Sequence, residues 1–344
     1  MKLLKWCLIL GLLLMSGCFN GSGEPSQPAA PLAVSPLITD FEPPGEPNPI
    51  KPIILGFSQL GSESTWREAN TASIKEAAKE AGITLLLTNA EQDQNKQFEA
   101  IRSFIRRDVD MIAIAPVVQT GWEGILEETR EAGIPVIILD RSVNVEDGSL
   151  YITFIGSDFY DEGVKAAKYM IDRMRHHSGI IRIAELQGTV GSTPSIDRGL
   201  GFRKILEGKK NFQITQTKPA DFTRSGGRKV MREFLKQPKD KLPQVLFAHN
   251  DDMAIGAVDA IKEAGLKPGS DIIIISVDGT RRAFEQMVDG NINAVVECNP
   301  LLGPLLMQAV KEIMAGRTLP KRMVTPEDIF TQELAAKEVE YRKY

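Results

Sequence analysis

Ile134-Pro135-Val136-Ile137-Ile138-Leu139 reads as a strand, and it stops abruptly at Asp140-Arg141. Four more apolar runs stop in the same way, near Glu63 to Arg67, at Asn250-Asp251, at Asp278-Gly279 and at Glu297. An ionised carboxylate only accepts hydrogen bonds, and a guanidinium only donates them, through a rigid fork of five N–H groups. Adjacent Asp and Arg side chains can therefore hold neighbouring hydroxyls, which both donate and accept. In an open parallel α/β sheet, ligands bind just beyond the carboxyl ends of the strands. Polar groups gathered there from distant strands describe one pocket that reads hydroxyls, with Trp66 beside it, and that chemistry suits a sugar.

Each residue also has a plainer reading. In Gly61-Ser62-Glu63-Ser64-Thr65-Trp66-Arg67, Trp66 could lay its ring on the C–H face of a sugar while Glu63 and Arg67 take hydroxyls. The same segment could simply start a helix, with Ser62 or Ser64 as N-cap, Glu63 in the first turn and Trp66 in the core. Asp140-Arg141 could be a local ion pair. Arg198 either points into the cleft or pairs with Asp197. Among Asn250, Asp251 and Asp252 one residue must cap the following helix; the expectation is Asn250 in the cleft and Asp251 or Asp252 on the cap. Asp278-Gly279 is an ordinary turn pair raised in interest by its place after a strand.

These side chains need a scaffold. Strand signals at residues 53–57, 83–87, 111–115, 135–139, 151–155, 180–185, 213–217, 245–248, 272–277 and 294–296 alternate with helical stretches such as residues 64–81 and 122–130. Phe98, Ile101 and Ile105 mark one helix face. Glu80-Ala81-Gly82, Glu131-Ala132-Gly133 and Glu263-Ala264-Gly265 each place glycine where a left-handed residue closes a helix. Alternation of this kind implies parallel sheets with right-handed crossovers. So many strands in about 290 residues exceed one open sheet. The expected fold class is α/β, two doubly wound Rossmann-like lobes with a cleft between them.

Several functions find no support. With a formal net charge of −4, the chain lacks the basic footprint of a nucleic-acid binder. Residues 186–193, Leu-Gln-Gly-Thr-Val-Gly-Ser-Thr, have no Gly-Lys-Ser/Thr ending and no dinucleotide fingerprint. The three histidines show no metal-ligand spacing, so neither metal nor cofactor is expected. There is no Gly-x-Ser-x-Gly elbow. Carboxylates are plentiful enough to leave open a glycosidase pair such as Glu63 and Asp140.

The N-terminus carries Lys2 and Lys5, an apolar run over residues 6–15, then Met15-Ser16-Gly17-Cys18. A charged start, a short apolar run and small residues describe an export signal over residues 1–17. The run is about half the ~20 residues of a membrane span. The ending resembles a bacterial lipobox, with Met15 where leucine is usual, and implies lipidation of Cys18 and a protein anchored at the cell envelope. Residues 19–50 hold eight of the 20 prolines and form an expected extended tether, so residues 18–50 stay outside the fold. Cys298 is left without a disulfide partner once Cys7 is removed with the signal and Cys18 is lipidated.

At these residues the chain resembles the periplasmic-type sugar-binding proteins of ABC importers, in the ribose/galactose branch and its galactofuranose-binding type. The resemblance spans roughly residues 52–337. It rests on Gly56-Phe57-Ser58-Gln59, Gly61-Ser62-Glu63-Ser64, Trp66-Arg67, Ile114-Ala115-Pro116-Val117-Val118, Thr120-Gly121-Trp122-Glu123 and Leu139-Asp140-Arg141-Ser142. Further carriers are Glu185-Leu186-Gln187-Gly188-Thr189-Val190-Gly191, Asp221-Phe222-Thr223-Arg224-Ser225 and Ala248-His249-Asn250-Asp251-Asp252-Met253. It implies a periplasmic binding protein type I fold whose lobes, joined by three crossovers, close over one sugar. The first lobe is expected from residues 51–156 plus about 298–324, the second from 157–297 plus about 325–344. Carried over, Glu63, Ser64, Thr65, Trp66, Arg67, Asp140 and Arg141 bind from the first lobe. Arg198, Asn250 and Asp278 bind from the second, with Glu297 beside a hinge. Ribose binders commonly have Gln at the position of Glu297, so Glu favours the galactofuranose type. Departures are Thr65, where that type has Gly, and Cys298-Asn299 around the hinge.

The resemblance implies a monomeric, non-catalytic receptor that hands a monosaccharide to the transmembrane subunits of an ABC permease and touches the membrane only through its lipid anchor. Alternatives are a sensor feeding a histidine kinase or chemoreceptor, a secreted glycosidase, and a transcriptional regulator of the same fold. The regulator is disfavoured by the export signal and the absence of DNA-binding helices.

Overall fold

A computed structural model describes residues 51–344; the export signal, the lipidation at Cys18 and the tether lie outside the described residues. The first half runs β1 (Ile54–Gln59), α1 (Thr65–Ala81), β2 (Thr84–Asn89), α2 (Gln94–Arg106), β3 (Met111–Ile114), α3 (Glu123–Glu131), β4 (Val136–Leu139) and β5 (Thr153–Gly156). The second runs α4 (Phe159–Arg173), β6 (Ile181–Gln187), α5 (Thr193–Leu206), β7 (Phe212–Pro219), α6 (Arg224–Phe234), β8 (Val245–Ala248), α7 (Asp251–Glu263), β9 (Ile273–Asp278), α8 (Arg281–Val288) and β10 (Ala294–Glu297). It continues through α9 (Gly303–Met314), β11 (Arg322–Val324), β12 (Ile329–Thr331) and α10 (Gln332–Glu338).

The strands form two six-stranded sheets, ordered β11-β5-β4-β3-β1-β2 and β12-β10-β9-β8-β6-β7. Every pairing is parallel except that of β10 with β12. The two orders correspond strand for strand, so β4 and β9 occupy equivalent places. The chain passes between the sheets at residues 156–159, 297–303 and 324–329; α4 packs on α5 and β10, whereas α9 returns to pack on α1.

The central strands are buried along their whole length, as parallel strands covered on both faces must be. Leu55, Phe57, Ile74 and Leu306 fill one side of the first sheet, and Phe104, Ile112 and Trp122 the other. Phe247, Phe202 and Ile275 pack one face of the second sheet, Leu246, Phe284 and Ile274 the opposite one. Gly82, Gly133 and Gly265 take left-handed backbone at the three expected helix-to-strand junctions. The three-residue strands β11 and β12 have no apolar run to announce them; they exist because a sheet edge supplies their partners.

Candidate functional site

Strand ends from both sheets converge on one small cavity enclosing about 290 Å³ of space between atoms. From the first lobe, Glu63, Ser64, Trp66, Arg67, Asp140 and Arg141 line it. From the second come Phe159, Pro194, Arg198, Phe222, Asn250 and Asp278, with Cys298 at the crossing.

The segment after β1 serves both of its readings. Ser64 is the N-cap of α1, its hydroxyl accepting from the Arg67 amide at 3.1 Å. That cap fixes the first turn so that Arg67 faces Glu63 at 3.2 Å and Asp140 at 2.6 Å, all three buried. Trp66 is a core residue that also forms wall: its indole N–H donates to the Cys298 carbonyl at 2.6 Å, and the Arg67 guanidinium stacks on its ring at 4.7 Å. Arg141 donates to the Val117 carbonyl at 2.9 Å and lies 3.7 Å from Glu63. Among the described residues, Glu63 Oε2, Arg67 Nη1 and Arg141 Nε are buried with no hydrogen-bond partner. Buried polar atoms are nearly always paired, so these three stand out as unsatisfied groups at the cavity.

In the second lobe Arg198 points into the cavity and leaves Asp197 aside. It donates from Nε to Glu162 at 2.6 Å and from Nη1 to the His249 carbonyl at 2.5 Å, with Asp278 4.0 Å from Nη2. The capping expectation is corrected: Asn250 both lines the cavity and caps α7, its Oδ1 accepting from the Met253 amide at 3.0 Å. Its Nδ2 donates to the Phe222 carbonyl at 3.1 Å. Asp251 instead accepts the Gly279 and Thr280 amides and the Ser276 and Thr280 hydroxyls, which holds the turn after Asp278. Asp252 takes the Thr65 amide at 2.8 Å, a contact between lobes. Two more bonds close the mouth, Gln119 N–H to the Gly191 carbonyl at 3.0 Å and Ser142 N–H to Thr193 Oγ1 at 3.1 Å.

Thr65 and Glu297 stand outside the cavity wall. Thr65 is spent on Asp252, and the Glu297 carboxylate is held by Arg342 at 2.8 Å. Arg342 also lies over the Phe284 and Phe330 rings, at 4.3 and 4.2 Å, which fixes it there.

Phe222 escaped the sequence reading. It lies in a loop just past β7 with φ of 60°, a conformation rare for a bulky side chain. Arg141 of one lobe and Arg198 of the other face its ring, at 5.2 and 6.0 Å. Gly188 makes room for that ring: a Cβ there would stand 1.8 Å from it. An aromatic among Asp221, Thr223 and Arg224, directly beyond a strand, was the available signal. Phe159, with Arg198 stacked on it at 5.1 Å, and Glu162 belong to the helix that follows the first crossing, where the strand-end rule does not look.

Arg67, Arg141 and Arg198 balance Glu63, Asp140 and Asp278 in formal charge. Burial would raise Glu63, but Arg67 and Arg141 outweigh it and hold the carboxyl below its ordinary range. Burial and the like charge of Arg67 bring Arg141 down to about 10. Asp278 is pushed well above the carboxylate range, by burial and then by Asp251. A protonated Asp278 would add a hydroxyl donor to a wall that already presents both donors and acceptors.

The periplasmic binding protein domain model matches residues 55–318. The galactofuranose-binding protein YtfQ of Escherichia coli (strain K12) is 42% identical over 294 residues, covering 85% of this chain and 92% of that protein. A Mycobacterium smegmatis protein solved in complex with β-D-fucofuranose is 48% identical, with a TM-score of 0.82 over 85% of this chain and 95% of its own. The binding component of the arabinose ABC transporter from Shewanella sp. ANA-3, bound to α- and β-L-arabinofuranose, is 46% identical with a TM-score of 0.81, covering 84% and 95%.

Proposed function

The chain belongs to the periplasmic binding protein domain family, and from that premise we propose that it captures a monosaccharide in its furanose form, of galactofuranose type, and delivers it to an ABC permease. The observation that carries the reading is the set of unpartnered buried atoms around the cavity. Arg67 Nη1 and Arg141 Nε donate, Glu63 Oε2 and Asp278 Oδ2 accept or share a proton, and both lobes contribute. A neutral polyol, whose hydroxyls both donate and accept, satisfies all four. Hydrogen bonds to charged groups contribute about 1.5–3 kcal/mol each, so a few suffice for tight capture. Trp66, Phe159 and Phe222 offer apolar surface to the sugar's C–H bonds. Glu63, Ser64, Trp66, Arg67, Asp140, Arg141, Arg198, Asn250 and Asp278 are the proposed contacts, and no bond of the sugar is broken.

Residues 156–159, 297–303 and 324–329 act as hinges in this reading, and a sugar that touches both walls favours the closed form by its differential affinity. The lipobox-like Met15-Ser16-Gly17-Cys18 supports an anchored receptor at the outer face of the cytoplasmic membrane or in the periplasm. Changing Cys18 to Ser tests that part, the expected outcome being release from the membrane fraction.

A thermal-shift panel of D-galactose, D-fucose, L-arabinose and D-ribose tests the ligand class, because a ligand that binds only the folded state raises the melting temperature. Galactose, fucose or arabinose is expected to raise it, and carbon-13 NMR of the bound, C1-labelled sugar to report a furanose ring. Absence of any shift, or a pyranose in the site, overturns the proposal.

A further inference from the structure

One carboxyl group touches all three crossings between the lobes. Glu327 Oε1 accepts from the Ser157 hydroxyl at 2.5 Å in the first, from the Asn299 amide at 3.0 Å in the second, and from the Thr325 hydroxyl at 2.9 Å in its own. The Glu327 carbonyl also takes Lys165 Nζ at 2.8 Å. The Glu162 carboxyl lies within 4.8 Å with no hydrogen bond between the two, so their charges repel each other when both are ionised. Glu162 is 1% exposed; its Oε2 takes Arg198 at 2.6 Å, and its Oε1 has no partner among the described residues. A chain of contacts thus runs from the hinges through Glu327 and Glu162 to Arg198 in the cavity wall.

The groups facing this pair leave it short of positive charge. Arg198 comes from α5 and is divided with Asp278 at the end of β9; Cys298 Sγ comes from the second crossing; Lys165 on α4 is divided with Asp161 at 2.7 Å. Two ionised carboxylates so close in a buried site are unstable, and one proton between them removes the conflict. Burial, with Glu327 adding to it against the pull of Arg198, pushes Glu162 up to about 8. Burial raises Glu327 as well.

We propose that Glu162 and Glu327 are positioning residues for sugar capture, and that the pair carries one proton in the closed form, which lets Glu327 hold the three crossings in register while Glu162 fixes Arg198 in the cavity wall. Opening turns the crossings against one another, separates the three donors on Glu327 and lets water reach the pair. Its affinity for protons then falls, so closure on a sugar takes up a proton. The inference rests on the sugar-binding reading above.

Isothermal titration of the mature protein with L-arabinose, D-fucose and D-galactose, in buffers of different ionisation enthalpy, measures that proton directly. The expected uptake at pH 7 is about 0.5–1 proton per sugar, and the affinity falls about three- to tenfold per pH unit between pH 6 and 8. Glu327→Gln keeps an acceptor for the three donors but cannot titrate; its binding is expected to be proton-neutral and flat over that range. Glu327→Ala, which drops the acceptor, loses about tenfold in affinity, and Glu327→Gln recovers it. Uptake that survives Glu327→Gln overturns the assignment to the pair, since Glu162 alone or Asp278 is then the acid responsible. A stoichiometric divalent metal that co-purifies with the protein and is lost with Glu327→Gln overturns the proton on the pair. Binding without uptake overturns this inference alone, whereas no binding by any of the three sugars overturns the receptor reading beneath it.

Discussion

Replacing Arg141 by Met is expected to abolish sugar capture without weakening the fold. Arg141 is 2% exposed, and its ionisation is disfavoured by burial and by Arg67, which brings it from the ordinary arginine range down to about 10. A cation whose folded value lies below its unfolded one is charged in both states at neutral pH. It therefore destabilises the fold in full below about pH 10 and ceases to do so as the pH rises through the two values. That shift corresponds to about 3 kcal/mol at pH 7. Methionine fills similar space, removes that cost and leaves the Val117 carbonyl without its donor, a loss of about 1–3 kcal/mol. The two nearly offset, so the ligand-free melting temperature should stay put or rise by a few degrees, at ~2–4 °C per kcal/mol for a unit somewhat smaller than this one.

Binding responds in the opposite sense. A sugar hydroxyl loses a charged donor, about 1.5–3 kcal/mol, and the closed state loses the contact of Arg141 with Phe222 across the lobes, about 1 kcal/mol. The sum is a roughly hundred- to thousandfold loss of affinity, read by titration calorimetry beside a melting curve of the free protein. Wild-type affinity in Arg141→Met removes Arg141 from the site. A melting temperature more than about 10 °C lower shows that the arginine holds the fold together, contrary to the electrostatic argument.

Gly188→Ala puts a Cβ 1.8 Å from the Phe222 ring and should displace it, weakening binding at least tenfold, and Phe222→Leu in the same chain should recover part of the loss if that clash is the cause. Asp278 is raised above its unfolded value, so its contribution to stability is fully present below the ordinary carboxyl range and is lost as the pH climbs toward the folded value. Asp278→Asn should therefore flatten the dependence of the melting temperature on pH above the ordinary carboxyl range and raise it at the upper end, and an unchanged profile refutes the assignment. Asp251→Ala strips the Gly279 and Thr280 amides of their acceptor and should cost about 3–5 kcal/mol in denaturant unfolding, against under 1 kcal/mol if the turn holds by itself.

The strand-end rule found the polar wall because it is a rule about backbone: in a parallel sheet the chain must leave each strand at the same edge. Asp140, Asn250 and Asp278 were legible for that reason. What it could not supply is the partner of each side chain. Glu297 ends a strand as Asp278 does, yet Arg342, 45 residues on, neutralises it, and no local pattern announces so distant a pairing. Asn250 and Asp251 were equally good caps by residue type. Their roles divide because the turn at Gly279 and Thr280 presents amides that a carboxylate satisfies better than a carboxamide. Phe222 was hidden by its loop, since apolar periodicity has nothing to say about a single aromatic between polar residues.

Asp140 and Asp278 show how the two lobes use one device. They stand at the ends of equivalent strands, Asp140 just after β4 and Asp278 as the last residue of β9, and both have positive φ, 63° and 126°. A non-glycine residue there costs of order 1–3 kcal/mol, which persists only where the surroundings over-determine it. At Asp140 the surroundings are Arg67 and the Ile155 carbonyl, which takes the Asp140 amide at 2.8 Å; Gly156 leaves room, since a Cβ there would sit 2.7 Å from the Asp140 carbonyl. At Asp278 they are the Asp251 contacts with the next two residues. Glycine would relieve the strain at either position but would remove the carboxyl from the cavity. In the proposed reading the strain serves to place a carboxyl group at that spot in each lobe, and a sugar held between Asp140 and Asp278 would meet the same backbone solution from both sides.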